Sequence, residues 1–307
     1  MSAQDPLPNA AAQGSNGLAE IYDRGYRIYD GPRTGVSGAM RAVGVATIQR
    51  SLGLRRKFRF KIVPILVIFI AYVPALVFMG VAVLLPAEIA GEVVAEYGGY
   101  FGLIALTMIL FTAFVVPEVM GSDRRSGMLG LYLASPLNRW NYLGSKFASI
   151  MMITSLVTLF PVIFLMIGYT FLEIGPDGFG EGVAVVLSIF LSGLVLSTFF
   201  SLFGMAVSTL TDRPLFASAA IVMVTIASEA FSAIIADNTD APEWIRLFGV
   251  VALPLQVISR IWLRRGESEL DVFADVSDLT VVGAWVGTVA VFAAVLLIGY
   301  RRLQVTK

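Results

Sequence analysis

Six apolar runs, each long enough to cross a bilayer as a helix, constrain this chain more than any other feature. They lie at about 62–85, 100–121, 146–172, 182–210, 214–236 and 279–299, against roughly 20 residues needed per span. Hydrocarbon offers the backbone no hydrogen-bond partners, so a run of this kind must satisfy its N–H and C=O groups internally. An all-α membrane protein with six transmembrane helices is therefore expected. Pro64, Pro74 and Pro161 fall inside spans, where neighbouring helices can absorb the lost backbone bond.

Composition agrees and removes whole classes of chemistry. Charged residues make up 14% of the chain, against roughly 25% in a soluble domain, and mean hydropathy is +0.81. There is no cysteine and no histidine. Disulfides, thiolate or imidazole metal sites, cysteine nucleophiles and histidine general bases are excluded, so neither a catalytic nor a metal site is expected. The spacing of a nucleotide-binding P-loop is also absent; Lys146 follows Gly144-Ser145 without the upstream glycine. The polar start, "MSAQDPLPNAAAQGSNG", lacks the basic and apolar regions of a signal peptide.

Net charge is zero, but its distribution is uneven. With alternate connections assigned to alternate sides, 18 of the 22 Lys and Arg fall on one side. Basic residues mark the cytoplasmic loops, so a multi-pass protein of the cell's inner or plasma membrane with both termini cytoplasmic is expected. Residues 1–35 form a cytoplasmic tail in which Tyr22, Tyr26 and Tyr29 share one helical face. Residues 303–307 end the chain in the cytoplasm.

The segment 36–61 spaces Val45, Ile48 and Leu52 helically and ends in a basic cluster. It reads as an amphipathic helix on the inner membrane surface, with Arg55, Arg56, Lys57 and Arg59 at anionic lipid headgroups. The same cluster also sets topology. The outer segment 237–278 is apolar in the middle but carries Arg246, Pro254 and Arg260. It is either a bent, partly re-entrant pair of short helices or an outer loop with one amphipathic helix. Trp244 and Trp262 suit the headgroup level.

Two carboxylates fall within membrane depth. Glu118 lies near the inner end of the second span, within reach of Arg124 or Arg125. Glu229 lies in the fifth span between Ser228 and Ser232. An intramembrane acid is costly, so each is a candidate for a translocation path or gate, with a hydrogen-bonded structural acid as the alternative. Ser197, Ser201, Gly204 and Ser208 share one face of the fourth span, where close helix packing is expected.

The loop between spans two and three carries a further pattern. Asp123-Arg124 is followed by Gly127, an apolar stretch from Leu129 to Leu133, Ser135-Pro136, Arg139-Trp140-Tyr142 and Gly144-Ser145-Lys146. This resembles the same loop in ABC-2-type permeases, the membrane subunits of bacterial ABC exporters. The resemblance covers residues 36–302, including the surface helix, the six-span domain 62–302 and a re-entrant outer segment. The chain departs from the family pattern at Asp123, Met128 and Gly130, where Glu, Thr and Glu are usual.

The resemblance implies that the 122–145 loop is a coupling segment that docks on a separate P-loop ATPase subunit. Asp123, Arg124, Arg125, Gly127, Leu129, Leu131, Leu133, Ser135 and Pro136 are the candidate contacts. Asp123 is expected to cap a helix start and Pro136 to end that helix. ATP and Mg would be bound by the partner, so this chain is expected to hold no cofactor and to be no enzyme itself. A second permease copy, or a related permease, would complete a dimer in the lipid; no nucleic acid is implied. The cargo expected is hydrophobic or amphipathic, such as a drug, an antibiotic or a lipid-like molecule. The alternatives are a proton-coupled secondary transporter using Glu229, or an ABC-type subunit serving assembly of another system.

Overall fold

The computed structural model describes residues 31, 34–54, 59–86, 89, 96–128, 137–238, 242–267, 273 and 275–302. The tyrosines at 22, 26 and 29, Arg55, Arg56 and Lys57, and the stretch Leu129 to Pro136 lie outside these residues. Within them the chain is helical, with no strand.

In chain order the helices are α1 (Gly35–Ser51), α2 (Arg59–Leu84), α3 (Tyr97–Arg125), α4 (Arg139–Thr158), α5 (Phe160–Phe171), α6 (Gly178–Thr209) and α7 (Pro214–Asn238). A 3-10 turn (Glu243–Phe248), α8 (Ala252–Leu263) and α9 (Asp278–Arg302) complete the series. Six of the helical stretches are long and apolar enough to cross a membrane, with α4 and α5 together making one of them. The break between them follows from Pro161. Its missing N–H leaves Val157 C=O without a helical partner, and the chain restarts at Phe160.

Local chemistry sets the helix ends. Asn138 caps α4 by accepting from the Asn141 N–H at 2.8 Å. At the start of α6, Glu181 reaches back to accept from the Asp177 N–H at 2.8 Å. Gly127, with φ of 69°, follows the last turn of α3 in the left-handed conformation that closes a helix without a Cβ penalty.

The core lies among α3, α4, α5 and α6. In the most apolar window of α3, 67% of residues are buried, whereas in α9 the share is 11%. α2, α7 and α9 thus surround the core and turn apolar faces outward, as lipid-facing helices do. Phe199 and Phe203 of α6 pack on Phe292 of α9 with ring centroids 5.4 and 5.3 Å apart.

The small residues of α6 face inward as expected. Ser201 lies 3.0 Å from Thr154 and Ser197 lies 2.8 Å from Thr158, joining α6 to α4. A Cβ on Gly204 would come within 2.6 Å of Thr112 on α3. Close packing inside one chain uses this stripe.

Three local expectations change. The helix expected at 36–61 ends at Ser51 and turns Val43, Gly44, Thr47 and Ser51 toward the bundle, leaving Val45 exposed. Small and hydroxyl side chains are preferred there because the backbone approaches α4 closely: a Cβ on Gly44 would sit 3.0 Å from the Ser149 hydroxyl. Lys146 does not open the third span but lies two turns inside α4. Trp262 is 1% exposed rather than at a headgroup surface, and its Nε1 donates to Ser192 at 3.0 Å. Trp244 is 47% exposed. The segment 237–278 does contain a pair of short helices, the 3-10 turn and α8, and α8 packs against α3, α6 and α9.

Candidate functional site

The two arms of the 126–138 loop start from a buried charge cluster. Asp123 sits in the last turn of α3 at 2% exposure and Lys146 sits in α4 at 1%. Their charged atoms are 2.7 Å apart. Lys146 also donates to the carbonyl of Val119 at 3.0 Å, and Tyr142 donates its hydroxyl to Asp123 at 2.8 Å. Arg50, at the end of α1, pairs with the same carboxylate and donates to the Ser122 hydroxyl at 2.7 Å. The ring of Tyr142 lies 6.1 Å from that of Tyr300 near the end of α9. One carboxylate therefore gathers donors from α1 and α4 onto α3, with the end of α9 alongside.

The carboxylate of this cluster is fully matched. A buried carboxylate needs cationic or N–H/O–H donors, and Asp123 has three. Two cations and one anion leave positive charge there, with the Ser122 hydroxyl and the Val119 carbonyl taking further N–H bonds. Asp123 ends a helix rather than capping the start of one, and it is turned into the protein, away from a surface that another chain can reach. The expectation of a capping role is corrected accordingly.

The other loop residues divide by exposure. Arg125 is about half exposed and pairs with Glu118 at 3.0 Å. Gly127 is exposed and Trp140 is 58% exposed. Arg124 belongs to the last turn of α3, with its side chain outside the described residues, as is that of Arg59 at the start of α2. Leu129, Leu131, Leu133, Ser135 and Pro136 are likewise outside them.

Glu118 and Glu229 lie toward opposite ends of the bundle. Glu118 lines a cavity with Pro214 at the start of α7, and Glu229 is 15 residues further along that helix, about 20 Å. Glu229 accepts from the N–H groups of Val251 and Ala252 at 2.6 and 3.3 Å, where α8 begins. Its neighbour Ser228 accepts from the Val250 N–H at 3.2 Å. The first N–H groups of a helix have no internal acceptor, and a carboxylate there also meets the positive end of the helix dipole. Gly249 permits the approach, because a Cβ there would stand 2.7 Å from the carboxylate. The hydrogen-bonded structural alternative describes this geometry.

At the same end, Arg260 is buried in α8. It donates to Gln256 at 2.7 Å, to the carbonyls of Phe273 and Val276 at 3.2 and 2.7 Å, and pairs with Asp278 at 3.1 Å. Glu267 accepts from the Gly98 N–H at the start of α3 at 2.8 Å. Burial pushes the Glu267 pKa up to about 7; the Gly98 N–H holds it down and Glu96 raises it further.

Sequence reasoning missed Arg50, which counted only toward topology, and Tyr142 as a ligand of Asp123. It also missed Gln256 and Glu267. One signal was present: a lysine in an apolar run needs a partner, and Asp123 and Lys146 stand at facing ends of consecutive spans. For Arg50, 73 residues from Asp123, no local pattern exists.

The fold and these clusters define the class: a multi-pass α-helical membrane protein with six spans, of a design compatible with a transporter subunit. No protein-family model matches the chain, and no curated protein matches it.

Proposed function

We propose that this chain is the permease subunit of an ATP-driven transporter of the ABC-2 type, working as a dimer with a second permease and powered by separate P-loop ATPase subunits. The cargo proposed is hydrophobic or amphipathic and moves outward. The basic end carrying α1 and the 126–138 loop is taken as cytoplasmic.

The observation that supports this reading best is the way the loop is anchored. Its flanking helices are joined to each other and to α1 by Asp123, Lys146, Tyr142 and Arg50. A push on such a loop moves three helix ends together, as rigid-body switching requires. The loop pattern from Asp123 to Lys146 supplies the resemblance, and the proposal places ATP hydrolysis in separate subunits. With Asp123 facing inward, contact with an ATPase falls to the residues beyond Arg125 and to exposed Trp140. Glu229 lines a cavity of about 380 Å³ beside α8, and the N–H groups of Val251 and Ala252 hold its carboxylate there, which favours a structural role over a proton-coupled one.

Affinity purification of the full chain from its own membranes in mild detergent tests the reading. A P-loop ATPase should copurify, and exchanging the 126–138 loop for a polar linker should release it while the six-span domain stays folded. Repeated recovery of the chain with no ATPase would overturn the proposal.

A further inference from the structure

At the basic end a cavity of about 690 Å³ opens between α2, α3 and the start of α7. Three guanidinium groups line it, from Arg50, Arg125 and Arg213, with Glu118 as the acid among them. The rest of its wall is largely apolar, from Val63 and Pro64 on α2, Phe114 on α3, and Leu215 and Phe216 on α7. We propose that this cavity is a binding site for the phosphate-bearing headgroup of an anionic lipid.

Charge is the first argument. Arg213 forms no ion pair among the described residues; its guanidinium lies 5.7 Å from the centre of the Phe216 ring. Arg50 meets Asp123 and Ser122 through one terminal nitrogen, Nη1, leaving its other N–H donors without a partner among the described residues. Arg125 is balanced by Glu118. Arg213 is thus unpaired among the described residues and Arg50 shares its one acid with Lys146, so the lining carries excess positive charge, in the side chain best shaped for bidentate phosphate contacts. The first turn of α7, at Pro214, adds its positive dipole end.

Position is the second argument. The cavity lies where α1, α3 and α7 end or begin, the level at which headgroups meet helix termini. Its walls continue as exposed apolar faces. Phe114 is 54% exposed, Leu215 79% and Phe216 58%, and Ile62 and Leu66 of α2 are similarly open. A free phosphate has no use for such walls, whereas acyl chains run along them. The proposal rests on the membrane reading of the six helices and not on an ATPase partner.

Native mass spectrometry of the purified full chain tests it, with phosphatidylglycerol and phosphatidylcholine added in turn. Phosphatidylglycerol should be retained preferentially, and Arg213→Gln and Arg125→Gln should each weaken retention roughly fivefold. Glu118→Gln should not weaken it, since the change frees Arg125. Arg139→Gln removes the same charge from the same end outside the cavity and should leave retention unchanged. Equal loss in R139Q and R213Q would mean diffuse attraction to a basic surface and would overturn the site. So would equal retention of both lipids, or complete displacement by inorganic phosphate. Arg213 is exposed, and an unchanged melting temperature without lipid will show that R213Q is folded.

Discussion

Lys146 carries a charge at 1% exposure, and its electrostatic environment depends on Asp123, 2.7 Å away. Removing one partner of a buried pair leaves the other desolvated and unmatched. Asp123→Asn should therefore destabilise the bundle by roughly 3 kcal/mol, measured by unfolding in detergent. The double variant Asp123→Asn with Lys146→Met should lose clearly less than the two single losses combined, because the fully buried charge is gone and the remaining Arg50 is 24% exposed. Strict additivity would mean that the pair is not coupled. Glu267 supplies the pH dependence. Its folded pKa of about 7 stands above the value of 4.5 for a free carboxyl, so the folded state binds the extra proton between those values. Stability from this group is full below about 4.5 and is lost as pH rises through about 7. The melting temperature should rise from pH 8 to pH 5, and Glu267→Gln should remove most of that slope. A variant as pH-dependent as the original would locate the effect elsewhere. The Asp123–Lys146 pairing was signalled in the sequence only by their places at facing ends of consecutive spans, and the role of Glu267 was not legible at all. Lys146 reads as a charge at a span boundary until its long-range partners are placed, and Glu267 reads as one acid in an acidic outer segment.

Among the elements, the helices were largely legible and their faces less so. Apolar runs of bilayer length report their own existence, and the six expected spans match those observed to within a few residues, except that α4 starts seven residues early at Arg139. The start was hidden because Arg139 and Asn141 are polar and the run was judged by apolarity, while the cap at Asn138 is a local signal. On α1, Ile48 and Leu52 of the apolar stripe pack against the core and Val45 does not, while close backbone approach to α4 selects Gly44, Thr47 and Ser51, which no apolar pattern marks. The stripe on α6 was read correctly, since its small residues keep helical spacing. It yields a contrast between two glycines of one helix. Gly204→Ala should cost about 1–3 kcal/mol, because the new methyl meets Thr112 and Val116. Gly182→Ala meets nothing within 4 Å and should be neutral or mildly stabilising. Equal thermal shifts for both would remove the case for tight α6–α3 packing.

At the scale of the whole molecule, two ends of opposite character face each other along the bundle. Arg50, Arg125, Arg139 and Arg213 lie at one end, and the 3-10 turn and α8 lie at the other. The natural chain has no cysteine, so single thiols can report which end faces the cytoplasm. An impermeant maleimide applied to intact cells should label Phe179→Cys and leave Ser126→Cys untouched until the membrane is opened. The reverse pattern would invert the topology and the proposed export with it. The Arg50 contact has a consequence for synthesis. Its partner Asp123 lies 73 residues further along the chain, and at ribosomal speed that is a wait on the order of ten seconds. The arginine must spend that interval among lipid headgroups and water while the next two spans are made. The joint at the base of the loop can close only once Lys146 has also been delivered, so the part of the molecule proposed to receive a push is not assembled until the third span has begun to emerge.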